Sequence, residues 1–171
     1  MNIAYTMAPG RGDTDLLLHR FAKELAELGV KTCGTVQINT ECADAGPCDM
    51  DVQVLPQGPV LRISQSLGKH SGGCRLDPAM LEQAVALCEA ELARAPHILI
   101  INKFGKHEAE GRGFRNLIGD ALQRGIPVLV GLNGMSLEAF RQFTQEFAVE
   151  LPATISDLHR WVEGALSLEQ A

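Results

Sequence analysis

The sequence predicts an α/β fold: three layers, with a mostly parallel sheet sandwiched between helices. Two observations carry this. Short apolar or β-branched runs alternate along the chain with segments of helical periodicity. Two of the runs, 97–102 (HILIIN) and 127–132 (PVLVGL), have continuous apolar centres. That is the pattern of strands covered on both faces.

The elements follow in order. Residues 2–7 (NIAYTM) read as a first strand, and the glycine-bearing turn APGRGD follows it. A helix is predicted over 14–28, with Leu16, Leu17, Phe21, Leu25 and Leu28 at helical spacing and Gly29 as its stop. The β-branched run KTCGTVQI (31–38) is a second strand. The composition of 39–50 is that of a loop, and short strands near 51–55 and 59–64 flank the turn PQGP. Together, 39–64 reads as an antiparallel hairpin inserted into the parallel sheet. After the loop QSLGKHSGGCRLD, Asp77 caps a helix that has Pro78 at its first position and runs to about 94. Strand 97–102, a helix over 112–124 ending at Gly125, strand 127–132, and helices over 136–147 and 154–167 complete the chain. With no repeat and no linker in its 171 residues, a single α/β domain over 1–171 is expected.

The bulk numbers narrow the function. A net charge of −6 sets the surface against phosphate backbones, so nucleic acid is not an expected partner. No run is long enough to span a membrane, and MNIAYTMAPGRGD lacks a basic n-region, so a cytoplasmic location is expected. Five cysteines there imply reduced thiols. Cys33 and Cys88, on a strand and a helix, are expected in the core. The helix LHRWVEGAL is expected to pack Leu158, Trp161, Val162 and Leu166, and His19, His97 and His159 read as packing or surface residues.

In open α/β sheets ligands bind beyond the carboxyl ends of the strands. Three polar, glycine-bearing loops lie at such places: APGRGDTD, GKHSGGCRLD and NKFGKHEAEGRG. The first has the strand–turn–helix context of an anion site. A phosphate-binding P-loop reads GxxxxGK[ST]. In Met7-Ala8-Pro9-Gly10-Arg11-Gly12-Asp13-Thr14 only Gly12 and Thr14 fit, and Asp13 stands where the lysine belongs. The bland reading is a plain strand–helix connection with Asp13 as the cap. In the third loop Lys103, Lys106, His107, Arg112 and Arg115 interleave with Glu108 and Glu110. Its bland reading is a solvated helix start with i,i+4 pairs such as Glu108–Arg112. The second loop gathers Lys69, His70, Ser71, Cys74 and Arg75 around Gly68, Gly72 and Gly73, a candidate anion nest. Cys42 and Cys48, with His70 and Cys74, are the only candidate metal set, although their spacing is not that of a zinc pair.

The stretches MAPGRGDTDLLLHRFAKELAELGV, ISQSLGKHSGGCRLD and LIINKFGKHEAEGRGFR resemble an uncharacterised bacterial family often encoded beside molybdate transport genes. That family is distantly similar to thermophile-type P-loop nucleoside triphosphatases, whose loop reads roughly PGVGKTT and whose second strand ends roughly in DEIGKME. Carried over, Pro9, Gly10, Gly12 and Thr14 match, whereas Asp13 departs at the lysine. Asn102 departs at the Mg²⁺-binding Asp and Lys103 at the Glu, whereas Gly105, Lys106 and Glu108 match.

The resemblance implies a P-loop-like scaffold stripped of its main electrostatic catalysts. The expected function is therefore to bind an anion, either a nucleotide or an oxyanion such as molybdate or tungstate, in molybdenum metabolism. The ligand-binding set is Gly10, Arg11, Gly12, Asp13, Thr14, Lys69, His70, Ser71, Gly72, Gly73, Cys74, Arg75, Asn102, Lys103, Gly105, Lys106, Glu108 and Arg112. One alternative is an atypical Mg²⁺-dependent nucleoside triphosphatase or phosphotransferase with Glu108 as its catalytic carboxylate. Another is a Cys/His metal-handling protein. Beyond a small anion, the expected partners are a second copy of the chain or a molybdenum-pathway protein.

Overall fold

The computed structural model of the chain describes residues 2–39, 49–65 and 76–169. Seven strands form one sheet in the order β4-β3-β2-β5-β6-β1-β7. They are β1 (Ile3–Thr6), β2 (Thr32–Asn39), β3 (Met50–Leu55), β4 (Val60–Arg62), β5 (Ile98–Asn102), β6 (Val128–Gly131) and β7 (Val149–Leu151). The run β2-β5-β6-β1-β7 is parallel, whereas β3 and β4 are antiparallel. The helices are α1 (Asp13–Glu27), α2 (Pro78–Leu92), α3 (Lys106–Ala109), α4 (Arg115–Gln123), α5 (Leu137–Thr144) and α6 (Ile155–Glu169).

The predicted layers are present, and the pleat explains them. In β5, Leu99 and Ile101 point into a core shared with Leu81, Ala84 and Val85 of α2, Leu117 and Ile118 of α4, and Phe140 of α5. Ile98 and Ile100 point the other way, against Leu18, Phe21 and Leu25 of α1 and Leu158 and Val162 of α6. All five β5 residues are buried, as the continuous apolar run predicts. Asp77 caps α2 as expected, its carboxylate accepting from the backbone N–H of Ala79 (3.0 Å) and Met80 (3.3 Å).

Several boundaries and faces differ from the sequence reading. The expected antiparallel hairpin is present as β3 and β4, and it extends the sheet at one edge: β3 pairs with β2 from Asn39↔Met50 to Gly34↔Leu55, and β4 forms the edge. α1 is phased differently. Leu16 and Leu28 are 64% and 68% exposed, and Leu18, Phe21, Ala22 and Leu25 are the packed face. Its N-cap is Gly12 in the left-handed region (φ 81°), not Asp13, and no side chain caps it. Strand β7 and the single-turn α3 went unrecognised. β7 is only three residues long and is held by bonds from β1: the Tyr5 hydroxyl donates to Glu150 (3.0 Å) and the Thr6 hydroxyl to the Leu151 carbonyl (3.1 Å).

Cys33 and Cys88 are fully buried, and the Cys33 thiol donates to the Cys88 carbonyl (3.3 Å). Burial pushes the Cys33 thiol up to about 12 and raises that of Cys88 as well. Because the thiolate is the nucleophile, both are expected to resist alkylation in the native protein at pH 8 and to react on unfolding. Peptide mapping after an iodoacetamide pulse, with and without urea, checks this. Native-state labelling at either position would contradict the packing.

Candidate functional site

The carboxyl ends of β1, β5 and β6 lie side by side in the sheet. Three loops therefore meet there: 7–12 after β1, 103–114 after β5 and 132–136 after β6. A cavity of about 460 Å³ lies among them. The first loop lines it with Met7 to Gly12, α1 with Thr14 and Asp15, β5 with Asn102 and then Lys103, and the β6 loop with Leu132 to Met135. A second cavity, of about 680 Å³, adjoins it and shares Asn102, Lys103, Asn133 and Met135.

Asn102 is the centre of this arrangement. It is 2% exposed, and both carboxamide atoms lack a hydrogen-bond partner among the described residues. An amide flip exchanges the two atoms and leaves the finding unchanged. The Asn102–Lys103 peptide is cis. The carboxamide sits beside Gly131 and Thr14: a β-carbon on Gly131 would lie 2.8 Å from Asn102 Oδ1 and 3.3 Å from Thr14 Cγ2. A buried polar group with no partner costs about 1–3 kcal/mol, so this one asks for a ligand or a solvent molecule to meet it.

The charges divide unevenly. Lys103 is half-buried, lines both cavities and has no ion-pair partner among the described residues. Arg11 is exposed at the rim of the smaller cavity. Lys106 is 84% exposed and lies 3.7 Å from Glu110. Arg112 lines neither cavity and pairs with Glu110, whose carboxyl it holds below the usual carboxylate range. The N-cap of α1, Gly12, has no side chain to cap it, and the α1 N-terminus adds the N–H groups of its first turn and a positive partial charge.

Asp13, expected to face the ligand, is exposed and outside the cavity lining; its carboxylate folds against Gly10, where a β-carbon would meet Oδ2 at 2.0 Å. The buried acid that does line the smaller cavity is Asp15. Thr14 accepts from the Ala8 N–H (2.8 Å), which closes the loop back on the helix.

Glu108 is 3% exposed, and both of its oxygens are engaged by the backbone. Gly105 N–H donates to Oε2 (2.9 Å) and Phe114 N–H to Oε1 (3.2 Å). The Glu108–Arg112 pair of the bland reading is absent, and Arg112 pairs with Glu110. A carboxylate that fastens its own loop in this way is a poor general base, whatever its place in the motif. Gly113 sits against it at φ 59°, and a β-carbon there would come 2.2 Å from Oε1. Gly113→Ala is therefore expected to cost about 2–4 kcal/mol, through left-handed strain and loss of the Phe114 bond. Urea denaturation checks this, and a change under about 0.5 kcal/mol, the range of an ordinary surface substitution, would contradict it.

Of the predicted set, Gly10, Arg11, Gly12, Thr14, Asn102 and Lys103 line the smaller cavity, and Asn102, Lys103, Gly105, Lys106 and Glu108 the larger. Lys69, His70, Ser71, Gly72, Gly73, Cys74 and Arg75, together with Cys42 and Cys48, lie outside the described residues. Among the described residues no group of three or more His, Cys, Asp or Glu could hold a metal ion. The sequence reading missed the β6 loop, Leu132 to Met135, and Asp15. The signal for the loop was available: LNGM follows the second continuous apolar run, just as NKFG follows the first.

Among known proteins, the chain is 34% identical over 151 residues to a protein of Bradyrhizobium diazoefficiens named molybdenum import ATP-binding protein ModC 2. That match covers 87% of this chain but only 17% of the relative. Two solved structures share the fold. One is the solution structure of a human cancer-related nucleoside triphosphatase (TM-score 0.60, 19% identity, 99% of this chain and 98% of that one). The other is the crystal structure of THEP1 from Aquifex aeolicus (TM-score 0.52, 23% identity, 98% of each chain). The fold is thus that of these nucleoside triphosphatase-like proteins, with the order of strands given above. Residues 3–161 match the model of one protein family, and the chain belongs to it: DUF2478, described as a protein of unknown function.

Proposed function

We propose that the protein binds a small anion in the cavity between loop 7–12, the end of β5 and the β6 loop, and holds it without turning it over. The candidate anions are the phosphate of a nucleotide and an oxyanion such as molybdate or tungstate. Asn102 is the observation that carries this reading: a buried carboxamide without a partner among the described residues, flanked by Lys103, unpaired among the same residues, and by the start of α1 at Gly12. Charge-assisted donors of this kind suit tetrahedral anions.

The hydrolase reading has less support. No lysine follows Gly12, the strand ends in a neutral carboxamide where a hard cation would want a carboxylate, and Glu108 is tied to the backbone. The metal-handling reading rests on residues outside those described. A place in molybdenum metabolism is supported by the name of the Bradyrhizobium relative and by the family resemblance. Among the described residues no helix is long and apolar enough to cross a membrane.

A thermal-shift screen against ATP, GTP, molybdate, tungstate, phosphate and sulfate, with and without Mg²⁺, tests the proposal. An anion at about 100 times its Kd stabilises the native state by roughly 2.7 kcal/mol, which is several degrees for a chain of this size. Lys103→Gln is expected to weaken the effective anion at least about tenfold, the usual scale for a lost charge-assisted bond. No shift with any anion, or Mg²⁺-dependent turnover of a nucleotide, would overturn the proposal.

A further inference from the structure

We infer that the bound anion is the charged end of a larger organic molecule, a phosphate or carboxylate with an apolar, ring-sized body that occupies the second cavity. This rests on the anion-binding reading and narrows it. The larger cavity, about 680 Å³, has the size of a site for an organic ligand and is far too big for one tetrahedral ion. It shares Asn102, Lys103, Asn133 and Met135 with the anion site, so a molecule lying over these residues would touch both cavities.

The walls specify the body. Val52 of β3, Ile63, Leu76, Leu81 of α2, Phe114 and Ala139 of α5 line it. Its polar groups at the anion end are Asn102 and Lys103, with Lys106 and His107 nearby on α3. A ribose and a triphosphate would leave their polar groups against aliphatic side chains. The cation supply points the same way. Lys103 is the one lysine or arginine that is half-buried and unpaired among the described residues of this cavity, and Lys106 stands beside Glu110. That suits a head of one or two negative charges. Asn102 adds a constraint, because it presents both a donor and an acceptor. Fully ionised molybdate offers acceptors only and would leave Oδ1 unmet. A monoprotonated phosphate ester, or an acid bearing a neighbouring hydroxyl, satisfies both atoms.

Calorimetric titration with 1-naphthyl phosphate, inorganic phosphate and ATP, on the wild type, Ala139→Leu and Lys103→Gln, tests the inference. Ala139 is half-buried on α5, and leucine there fills the cavity while keeping a good helix former. Naphthyl phosphate is expected to bind at least about tenfold more tightly than inorganic phosphate, the effect of burying one ring. Ala139→Leu should remove most of that advantage and leave inorganic phosphate unchanged. Methyl NMR gives a second reading on the unmodified protein: Val52, Ile63 and Leu81 resonances should shift with naphthyl phosphate and stay still with inorganic phosphate. Equal affinities with silent methyls would overturn the inference, and the anion site would stand if Lys103→Gln weakened both ligands. Tighter binding of ATP than of naphthyl phosphate would also overturn it. Absence of binding by every probe would remove the anion reading itself.

Discussion

Gly34→Ala is expected to destabilise the protein by about 2–6 kcal/mol, from positive-φ strain of about 1–3 and overpacking of similar size. Gly34 lies inside β2, between Leu55 of β3 and Ile100 of β5. Its φ is 109°, a region that side chains rarely enter, and a β-carbon there would fall 1.9 Å from the Ile100 carbonyl oxygen and 2.8 Å from its carbon. Both atoms belong to the backbone of the fully buried β5, so no side chain can swing aside. Relief requires β2 and β5 to part, which breaks the parallel ladder at Gly34↔Ile100. Native domains have only about 5–15 kcal/mol in total, so much of the stability would be gone. Thermal melts monitored by circular dichroism provide the check. A midpoint within 2–3 °C of the wild type, equivalent to about 1 kcal/mol, would mean that β2 takes another path.

Nothing in KTCGTVQI announces that constraint. The run reads as a strand because of Val36, Ile38 and three further β-branched or apolar residues, and the glycine reads as a weak spot in it. A close approach by a neighbouring backbone becomes visible only once β5 is known to be the neighbour. The same limit governs the site. The two continuous apolar strands were legible, and with them the general place where ligand loops gather, because full burial leaves an unbroken run in the sequence. Side-chain direction was not. A helix turns about 100° per residue, so its phase decides which acid faces inward. The P-loop alignment put Asp13 at the lysine position and so toward the ligand; with Leu18 and Ala22 packed, Asp13 points out and Asp15 lies at the cavity. Glu108 shows a related failure: its spacing to Arg112 is right for a surface pair, but the turn at Gly105 and the bend at Gly113 draw it into the backbone.

Asn102→Leu is expected to stabilise the ligand-free protein while abolishing anion binding. The two side chains share a branched skeleton of four heavy atoms, so the substitution changes polarity more than shape. In the wild type, both polar atoms of a 2% exposed residue are without partners among the described residues. Removing them should recover about 1–3 kcal/mol, and Leu18 and the methyl of Thr14 stand close by to receive the apolar atoms. A gain of that size raises the melting midpoint by roughly 3–8 °C in a chain of this length. The ligand-induced shift should disappear in the same variant, because the carboxamide is the buried group that meets the anion. A functional residue is the usual place for stability to be sacrificed in this way. Asn102→Asp separates the readings further. It restores a carboxylate at the strand end but buries a charge with no paired cation among the described residues, so the apo protein should lose stability. Mg²⁺ should restore that stability if Thr14 and the nucleotide can complete a cation site. A leucine variant that melts below the wild type and still responds to the anion would mean that Asn102 is satisfied by ordered solvent. The ligand would then be held by Lys103 and the α1 N-terminus alone.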